Sequence, residues 1–112
     1  MRFVTIVLLL STTQSYGQTV YLKYSEWAQK PIGLREMYIA EAFDELSTIT
    51  VREGAPIAKF YNECVAKAGL TSGQLAQNMQ EYADTRPDLQ DKPTPGVLQR
   101  YLISLCGLPA AR

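Results

Sequence analysis

Histidine is absent from this chain of 112 residues, and only two residues are cysteine. Zinc sites draw their ligands largely from these two residue types, and a serine or cysteine nucleophile usually needs a histidine base. Neither sign of charge is in excess, because 11 lysine and arginine residues are balanced by 11 aspartate and glutamate residues. A neutral chain has no global field that attracts nucleic acid or anionic lipid. These absences disfavour a hydrolase, a metalloenzyme and a DNA-binding protein, and we expect no metal and no other cofactor.

The composition that remains is that of a small packed domain. Hydrophobic residues make up 46% of the chain and charged residues 20%, which is typical of a globular protein and unlike a disordered tail. A chain of this length is sufficient for one domain and too short for two.

The N-terminal residues follow the pattern of a secretory signal peptide. Met1-Arg2 precedes an apolar run at residues 3–10, and Ser15-Tyr16-Gly17 then supplies a small-x-small exit. We therefore predict a signal peptide at residues 1–17 and a periplasmic or secreted location after its cleavage. The run is far shorter than the ~18–20 apolar residues that span a bilayer, so no stable membrane anchor is expected. The alternative is that this run forms a short buried helix or strand.

Residues 18–33 are predicted to form an N-terminal arm ahead of the first long helix. The arm carries the aromatic residues Tyr21, Tyr24 and Trp27. A solvated arm has little reason to carry such side chains, so we expect it to dock on the domain. The alternative is a mobile arm that offers Trp27 to a partner.

Four amphipathic segments predict an all-α fold, a small bundle of about four helices with one disulfide in residues 34–107. Apolar residues recur in each segment at three- and four-residue steps. Thr71 and Gln74 have the spacing of a capping box, and Thr94 is the predicted N-cap of the last helix, with Pro95 at its first position. The tail, residues 108–112, is expected to be loose. The predicted helices are residues 34–49, 57–68, 71–84 and 94–106.

The two cysteines lie on or beside apolar stripes that we predict to face the core. In a secreted chain an even cysteine count usually means a bridge, and Cys64 and Cys106 allow only one pairing. We expect this disulfide to be structural. The alternative is a redox-active pair, although a buried stripe lacks the exposed, electropositive setting of a reactive thiolate. The stripe of the second helix is Ile57, Phe60, Tyr61, Cys64, Val65 and Ala68, and that of the last helix is Val97, Leu98, Tyr101, Leu102 and Leu105.

Two groups of charged residues are candidates for a functional site. Glu41, Asp44 and Glu45 are close together in the first long helix, but they fall on its polar face, whereas an acid/base pair needs one desolvated carboxyl. The segment from Thr85 to Pro93 is a predicted loop in which both signs of charge occur. Such a loop is either simply solvated or gives a protein partner specific hydrogen-bonding groups. The partner-binding candidates in it are Arg86, Asp88, Asp91 and Lys92.

Several motifs resemble those of one protein family. The stretch Met37-Tyr38-Ile39-Ala40-Glu41-Ala42-Phe43-Asp44 resembles the family's first core helix. The second half of the family pattern is matched, in the same order, by Cys64, Gly69-Leu70-Thr71-Ser72-Gly73-Gln74-Leu75, Tyr82, Pro87 and Cys106. On these residues the chain is similar, over residues 34–106, to the Rap1a/Tai family of periplasmic immunity proteins. The resemblance implies a small exported helical protein that binds a toxin delivered by type VI secretion, often a cell-wall amidase.

The composition and the resemblance lead to the same expectation about function. We expect a binding protein and not an enzyme, with no nucleic-acid partner, and a homodimer is left open. The resemblance implies that its protein partner is a toxic enzyme. Covering an active cleft requires a rigid scaffold and a protruding element but no catalytic group. The alternative is a periplasmic stress chaperone or a structural accessory protein, which would act by exposing apolar faces when it is destabilised.

Overall fold

The computed structural model describes residues 21–47 and 55–109, which together form an all-α arrangement. The predicted signal peptide, residues 1–17, lies outside the described residues. The predicted helical bundle with one disulfide is confirmed, and two short helical turns are added to the four predicted helices. The elements in chain order are α1, Tyr24–Trp27; α2, Ile32–Ser47; α3, Ala55–Ala68; α4, Ser72–Asp84; a 3-10 turn, Pro87–Leu89; and α5, Thr94–Cys106.

The hydrophobic core is centred on α4 and α5, which α2 covers from one side. α2 packs against α3, α4 and α5, and α4 packs against α5, whereas α3 lies at the edge and packs mainly against α2 and α5. Apolar side chains at helical spacing on the facing stripes are removed from water, which stabilises the bundle. The largest side chains of the long helices that are completely buried are Ile39, Met79, Val97, Leu98 and Leu102.

The described part of the N-terminal arm, from Tyr21 onward, is docked on this bundle, as predicted. Tyr24 and Trp27 are completely buried, and their rings lie 5.6 Å apart between centroids. The Tyr24 hydroxyl donates to Oδ1 of Asp84 at 2.8 Å, and Nε1 of Trp27 donates to the carbonyl oxygen of Arg35 at 3.2 Å. Burial, reinforced by this hydrogen bond to Asp84, raises the pKa of Tyr24 above its ordinary value. The alternative of a mobile arm that presents Trp27 is therefore wrong.

Two helices end at glycines with a left-handed backbone conformation. Gly69 follows α3 with φ of +70°, and Gly107 follows α5 with φ of +81°. Residues with a Cβ rarely adopt such φ values, so glycine favours the end of the helix at both positions. Each glycine directly follows the predicted last residue of its helix, position 68 or position 106.

The buried stripes of α3 and α5 are shorter than predicted. Ile57 is 43% exposed and Leu105 is 41% exposed, and Ala68 is exposed as well. The reason is the edge position of α3, where the neighbouring helices bury only the line of Ala58, Tyr61 and Val65 and leave Phe60 and Cys64 partly covered. Leu105 borders an open groove beside the disulfide, so the last turn of α5 is covered on one side only.

The predicted N-cap role of Thr94 is wrong. Pro93 holds the N-cap position of α5, and Thr94 is the first helical residue and completely buried. Its hydroxyl donates at 2.7 Å to the carbonyl oxygen of Leu22, which also accepts from the backbone N–H of Thr94 at 2.9 Å. Because the Thr94 hydroxyl donates to the arm, it does not cap the N-terminus of α5.

The capping box at the start of α4 is present as predicted. The backbone N–H of Gln74 donates to Oγ1 of Thr71 at 3.1 Å, and the backbone N–H of Thr71 donates to Oε1 of Gln74 at 2.9 Å. We expect Thr71→Ala to lower the free energy of unfolding by about 1 kcal/mol, because one amide of the first turn loses its acceptor. Urea denaturation checks this value. Ser72→Ala is the control, since the Ser72 side chain is exposed, and an equal loss in both variants would contradict the capping role.

The predicted disulfide joins the edge helix to the end of the last helix. Cys64 in α3 and Cys106 in α5 are bonded, with their Cα atoms 6.0 Å apart and 42 positions apart in sequence. Beside the disulfide, the Tyr61 hydroxyl donates to the carbonyl oxygen of Gly107 at 3.1 Å. The C-terminal end of α5 is therefore held to α3 by a covalent bond and a hydrogen bond.

Candidate protein-binding surface

The four predicted partner-binding residues lie together between α4 and α5, in the segment 85–93. All four are exposed. The segment is not a simple loop, because Pro87–Leu89 forms a 3-10 turn whose last residue, Leu89, is 1% exposed and belongs to the core. The turn places charged groups on the surface while one apolar side chain anchors it from below.

The backbone of the segment is fixed by hydrogen bonds to the arm and to α4. The N–H of Tyr24 donates to the carbonyl oxygen of Lys92 at 2.9 Å, and the N–H of Ser25 donates to that of Gln90 at 3.0 Å. The side-chain amide of Gln90 donates to the carbonyl oxygens of Ala83 and Arg86 at 3.0 and 3.2 Å. Backbone groups held in this way keep one conformation, so a partner that binds here meets a preorganised surface.

Arg86 is exposed but lies flat against α4. Its guanidinium carbon is 3.9 Å from the centre of the Tyr82 ring, and the guanidinium donates a hydrogen bond to the carbonyl oxygen of Tyr82. The ring and the carbonyl both attract the positive charge, which fixes the direction of the side chain. Arg86 therefore offers a partner its outer N–H groups in a defined orientation.

Asp88 faces α5 and is paired with Arg100, which is not among the predicted partner-binding residues. Oδ2 of Asp88 lies 3.8 Å from Nη1 of Arg100, and both side chains are more than half exposed. Such an exposed pair contributes little to stability. Arg100 lies outside the predicted loop. The sequence signal for it was its position on the polar side of the last helix, next to Tyr101. The pair extends the charged surface from the segment onto α5.

Asp91 and Lys92 are the charged residues of the segment whose side chains have no bonding partner within the part of the chain that the structure describes. Both are exposed, and among the described residues neither side chain forms a hydrogen bond or an ion pair. The Lys92 carbonyl, by contrast, is held by the arm. Fixed backbone and open side chains are the combination that favours a specific contact with another protein.

The carboxylates of α2 occupy the exposed positions that the sequence predicts. Glu41, Asp44 and Glu45 are all exposed. Glu41 and Glu45 line a groove between α2 and α5, together with the half-buried Tyr38, whose pKa is raised by burial. Elsewhere on α2, the Glu36 carboxylate lies against Gly73 in α4. Its Oε2 atom is 3.1 Å from the position that a Cβ atom would take if residue 73 had a side chain. A carboxylate beside the first turn of α4 is favourable for the dipole of that helix.

Three large apolar side chains near the start of α2 are more than half exposed, namely Ile32, Leu34 and Met37. Single exposed apolar residues are common on protein surfaces, whereas several on one short stretch of helix are typical of an interaction site. They are not among the partner-binding residues predicted from the sequence. The signal was available, because Leu34 and Met37 fall outside the apolar stripe of Ile39, Ala42 and Leu46.

Two further classes of site are not found in the residues that the structure describes. No group of three or more cysteine, aspartate or glutamate side chains in residues 21–47 and 55–109 is placed to hold a metal ion. None of the helices in those ranges has the length and apolar character needed to cross a membrane. Comparison with protein-family models, with curated proteins and with solved structures gives no match for this chain.

Proposed function

We propose that this chain is an exported binding protein that neutralises a secreted toxic enzyme by covering its active cleft, as its resemblance to Rap1a/Tai immunity proteins implies. The observation that carries the proposal is the anchored segment 85–93. Its backbone is fixed by the arm and by Leu89, while the Asp91 and Lys92 side chains are open to a partner. An inhibitor of this kind acts by shape and charge and needs no reactive group of its own.

The disulfide supports the exported location that the N-terminal pattern predicts. A bond between Cys64 and Cys106 persists in an oxidising compartment such as the periplasm and is rare in a reducing cytosol. A toxin that acts on the cell wall is met in that same compartment. The proposed site of action and the chemistry of the cysteines therefore agree.

The segment alone is too small for a stable complex. A specific interface buries about 1,200–2,000 Å² in total, or about 20–30 residues on each partner. Segment 85–93 has nine residues, so neighbouring surfaces must contribute. Arg100 on α5 extends the charged surface, and the exposed apolar side chains Leu34 and Met37 of α2 are a second source of contact area.

The proposal predicts that the segment's charged side chains decide binding. We expect the fourfold variant Arg86→Ala/Asp88→Ala/Asp91→Ala/Lys92→Ala to bind the cognate enzyme on the order of 100-fold more weakly, since a few central side chains dominate most interfaces. The melting temperature should stay within a few degrees, because these side chains are exposed. Affinity capture from periplasm or culture supernatant identifies the enzyme, and titration of its activity, for example release of soluble cell-wall fragments, measures inhibition.

A matched control removes the same charges elsewhere. Lys59, Glu63, Lys67 and Glu81 are exposed residues of α3 and α4, and replacing all four by alanine also deletes two positive and two negative charges. This control variant should inhibit as well as the wild type. Undiminished inhibition by the segment variant would contradict the assignment of the surface, and protection of aggregating client proteins at low pH, without any stoichiometric enzyme partner, would favour the chaperone alternative.

A further inference from the structure

A groove runs along the junction of α2 and α5 and is lined by none of the residues of segment 85–93. Its volume is about 490 Å³. Tyr38, Ala42 and Leu46 of α2 form one wall, and Pro95 and Gln99 of α5 contribute the other. All three α2 residues are half-buried and pack on the core, so the wall is built on rigid helices and is mostly apolar.

The groove has an acidic rim at Glu41. Glu41 and Glu45, one helical turn apart, line it and are exposed. Residues 36–47 of α2 include four carboxylates and no basic residue. The basic residue of α2, Arg35, is held by the arm and by α4, since its guanidinium lies 5.8 Å from the Trp27 ring centre and donates to the side-chain oxygen of Gln80.

The other wall places no positive charge beside Glu41. Pro95 and Gln99 are uncharged, and the nearest basic residue in the α5 sequence, Arg100, is paired with Asp88 of segment 85–93. A partner group that fits the groove therefore carries positive charge at one end and an apolar body behind it. Lysine and arginine side chains have this construction, with an aliphatic stem and a charged head.

The lining suits such a side chain in three ways. The stem can lie along Ala42, Leu46 and Pro95, the head can reach the Glu41 carboxylate, and the Tyr38 ring can attract the positive charge through its π system. Leu34 and Met37 precede Glu41 on the same exposed face of α2, at steps of three and four residues. They add an apolar contact surface that continues from the groove toward the start of the helix.

We infer that the α2–α5 groove docks a lysine or arginine side chain of a protein partner, with Leu34 and Met37 contacting apolar residues beside it. The inference deepens the proposed function, since it names what the partner presents and adds a second contact to segment 85–93. Nucleic acid does not fit, because its phosphates would be repelled by the carboxylates. The occupant is therefore a basic and apolar stretch of polypeptide.

Short peptides test the groove without knowledge of the partner. Acetyl-Leu-Arg-Leu-amide is titrated into the purified, ¹⁵N-labelled protein, with acetyl-Leu-citrulline-Leu-amide as the uncharged equivalent. We expect millimolar binding, with amide shifts concentrated at Tyr38, Ala42, Leu46 and Gln99. The citrulline peptide should bind about five-fold more weakly, because a partly exposed ion pair contributes a modest part of the affinity.

Two variants make the test specific. Glu41→Gln should weaken binding of the arginine peptide by about the same five-fold factor and leave binding of the citrulline peptide unchanged. Glu81→Gln on α4, also an exposed helical carboxylate, should change neither. Equal binding of both peptides, shifts spread over the whole surface, absence of shifts at ~20 mM peptide, or equally strong shifts with spermidine, which has no apolar flanks, would each overturn the inference.

The outcome is separable from that of the proposed function. If the wild type captures and inhibits an enzyme, and Glu41→Lys does so with unchanged affinity, the groove assignment fails while the proposed function stands. If no enzyme partner is captured, the proposed function fails, and the peptide titration still decides whether the groove accepts a basic side chain.

Discussion

Replacing Cys106 by serine is expected to lower the melting temperature of the oxidised protein by about 15–30 °C. The disulfide to Cys64 spans 42 positions, and closing a loop of this size in the unfolded chain is worth roughly 4 kcal/mol in the chain-entropy model. In a domain of this size each kcal/mol corresponds to about 4–8 °C. The loss is large because total stabilities of such domains are only about 5–15 kcal/mol.

Thermal unfolding followed by circular dichroism checks this expectation. Cys64→Ser should behave like Cys106→Ser, and wild type with reductant should melt close to both, since all three lack the same bond. Ser104, exposed on the last turn of α5, provides the control variant Ser104→Ala, which should melt like the wild type. Coinciding melting curves of oxidised wild type and Cys106→Ser would contradict a stabilising role for the bridge.

Trp27→Ala is expected to cost about 3–5 kcal/mol, the range found when a large buried aromatic side chain is truncated. Trp27 is completely buried against Tyr24. Its indole N–H donates to Arg35, so the substitution also leaves that carbonyl without its side-chain donor. Because this is the one tryptophan of the chain, unfolding of the variant must be followed by circular dichroism in urea and not by fluorescence.

The control for this variant is a large apolar residue that the fold does not bury. Leu108 is 72% exposed, and Leu108→Ala should change the free energy of unfolding by no more than about 0.5 kcal/mol. Wild-type fluorescence gives a second check, because a buried indole emits at shorter wavelength than a solvated one. A loss below about 1 kcal/mol for Trp27→Ala would mean that the arm is not part of the cooperative core.

Features set by neighbouring residues could be predicted from the sequence. The capping box of Thr71 and Gln74 involves two residues three positions apart, and Gly69 and Gly107 stop their helices through their own backbone conformation. The disulfide could also be predicted, because two cysteines allow one pairing. These signals are local or have a single solution, so they do not depend on how the helices are arranged.

Features set by distant partners could not be predicted. Thr94 has the sequence of an N-cap residue, yet its hydroxyl is used by Leu22, 72 positions away. Ile57 continues an unbroken apolar stripe, but α3 lies at the edge of the bundle and leaves it 43% exposed. Periodicity shows which face of a helix is apolar, whereas the width of the covered face depends on how many helices pack against it.

The candidate surface shows the same division. Its four charged residues are exposed, as a polar loop predicts, whereas the contact between Arg86 and Tyr82 depends on how the chain turns after α4 ends at Asp84. The burial of Leu89 and the pairing of Asp88 with Arg100 depend on the packing of the segment against α5 and the core. Composition alone predicts a solvated loop there and misses its anchor.

The contact between the arm and residues 90–94 also has a consequence for biogenesis. Tyr24 is synthesised long before Lys92 and Thr94, the residues near which the arm is held. The backbone hydrogen bonds that hold the arm cannot form until residues 90–94 have been made. Docking of the arm therefore closes contacts as far apart as 72 positions in the sequence, which favours a late step in folding.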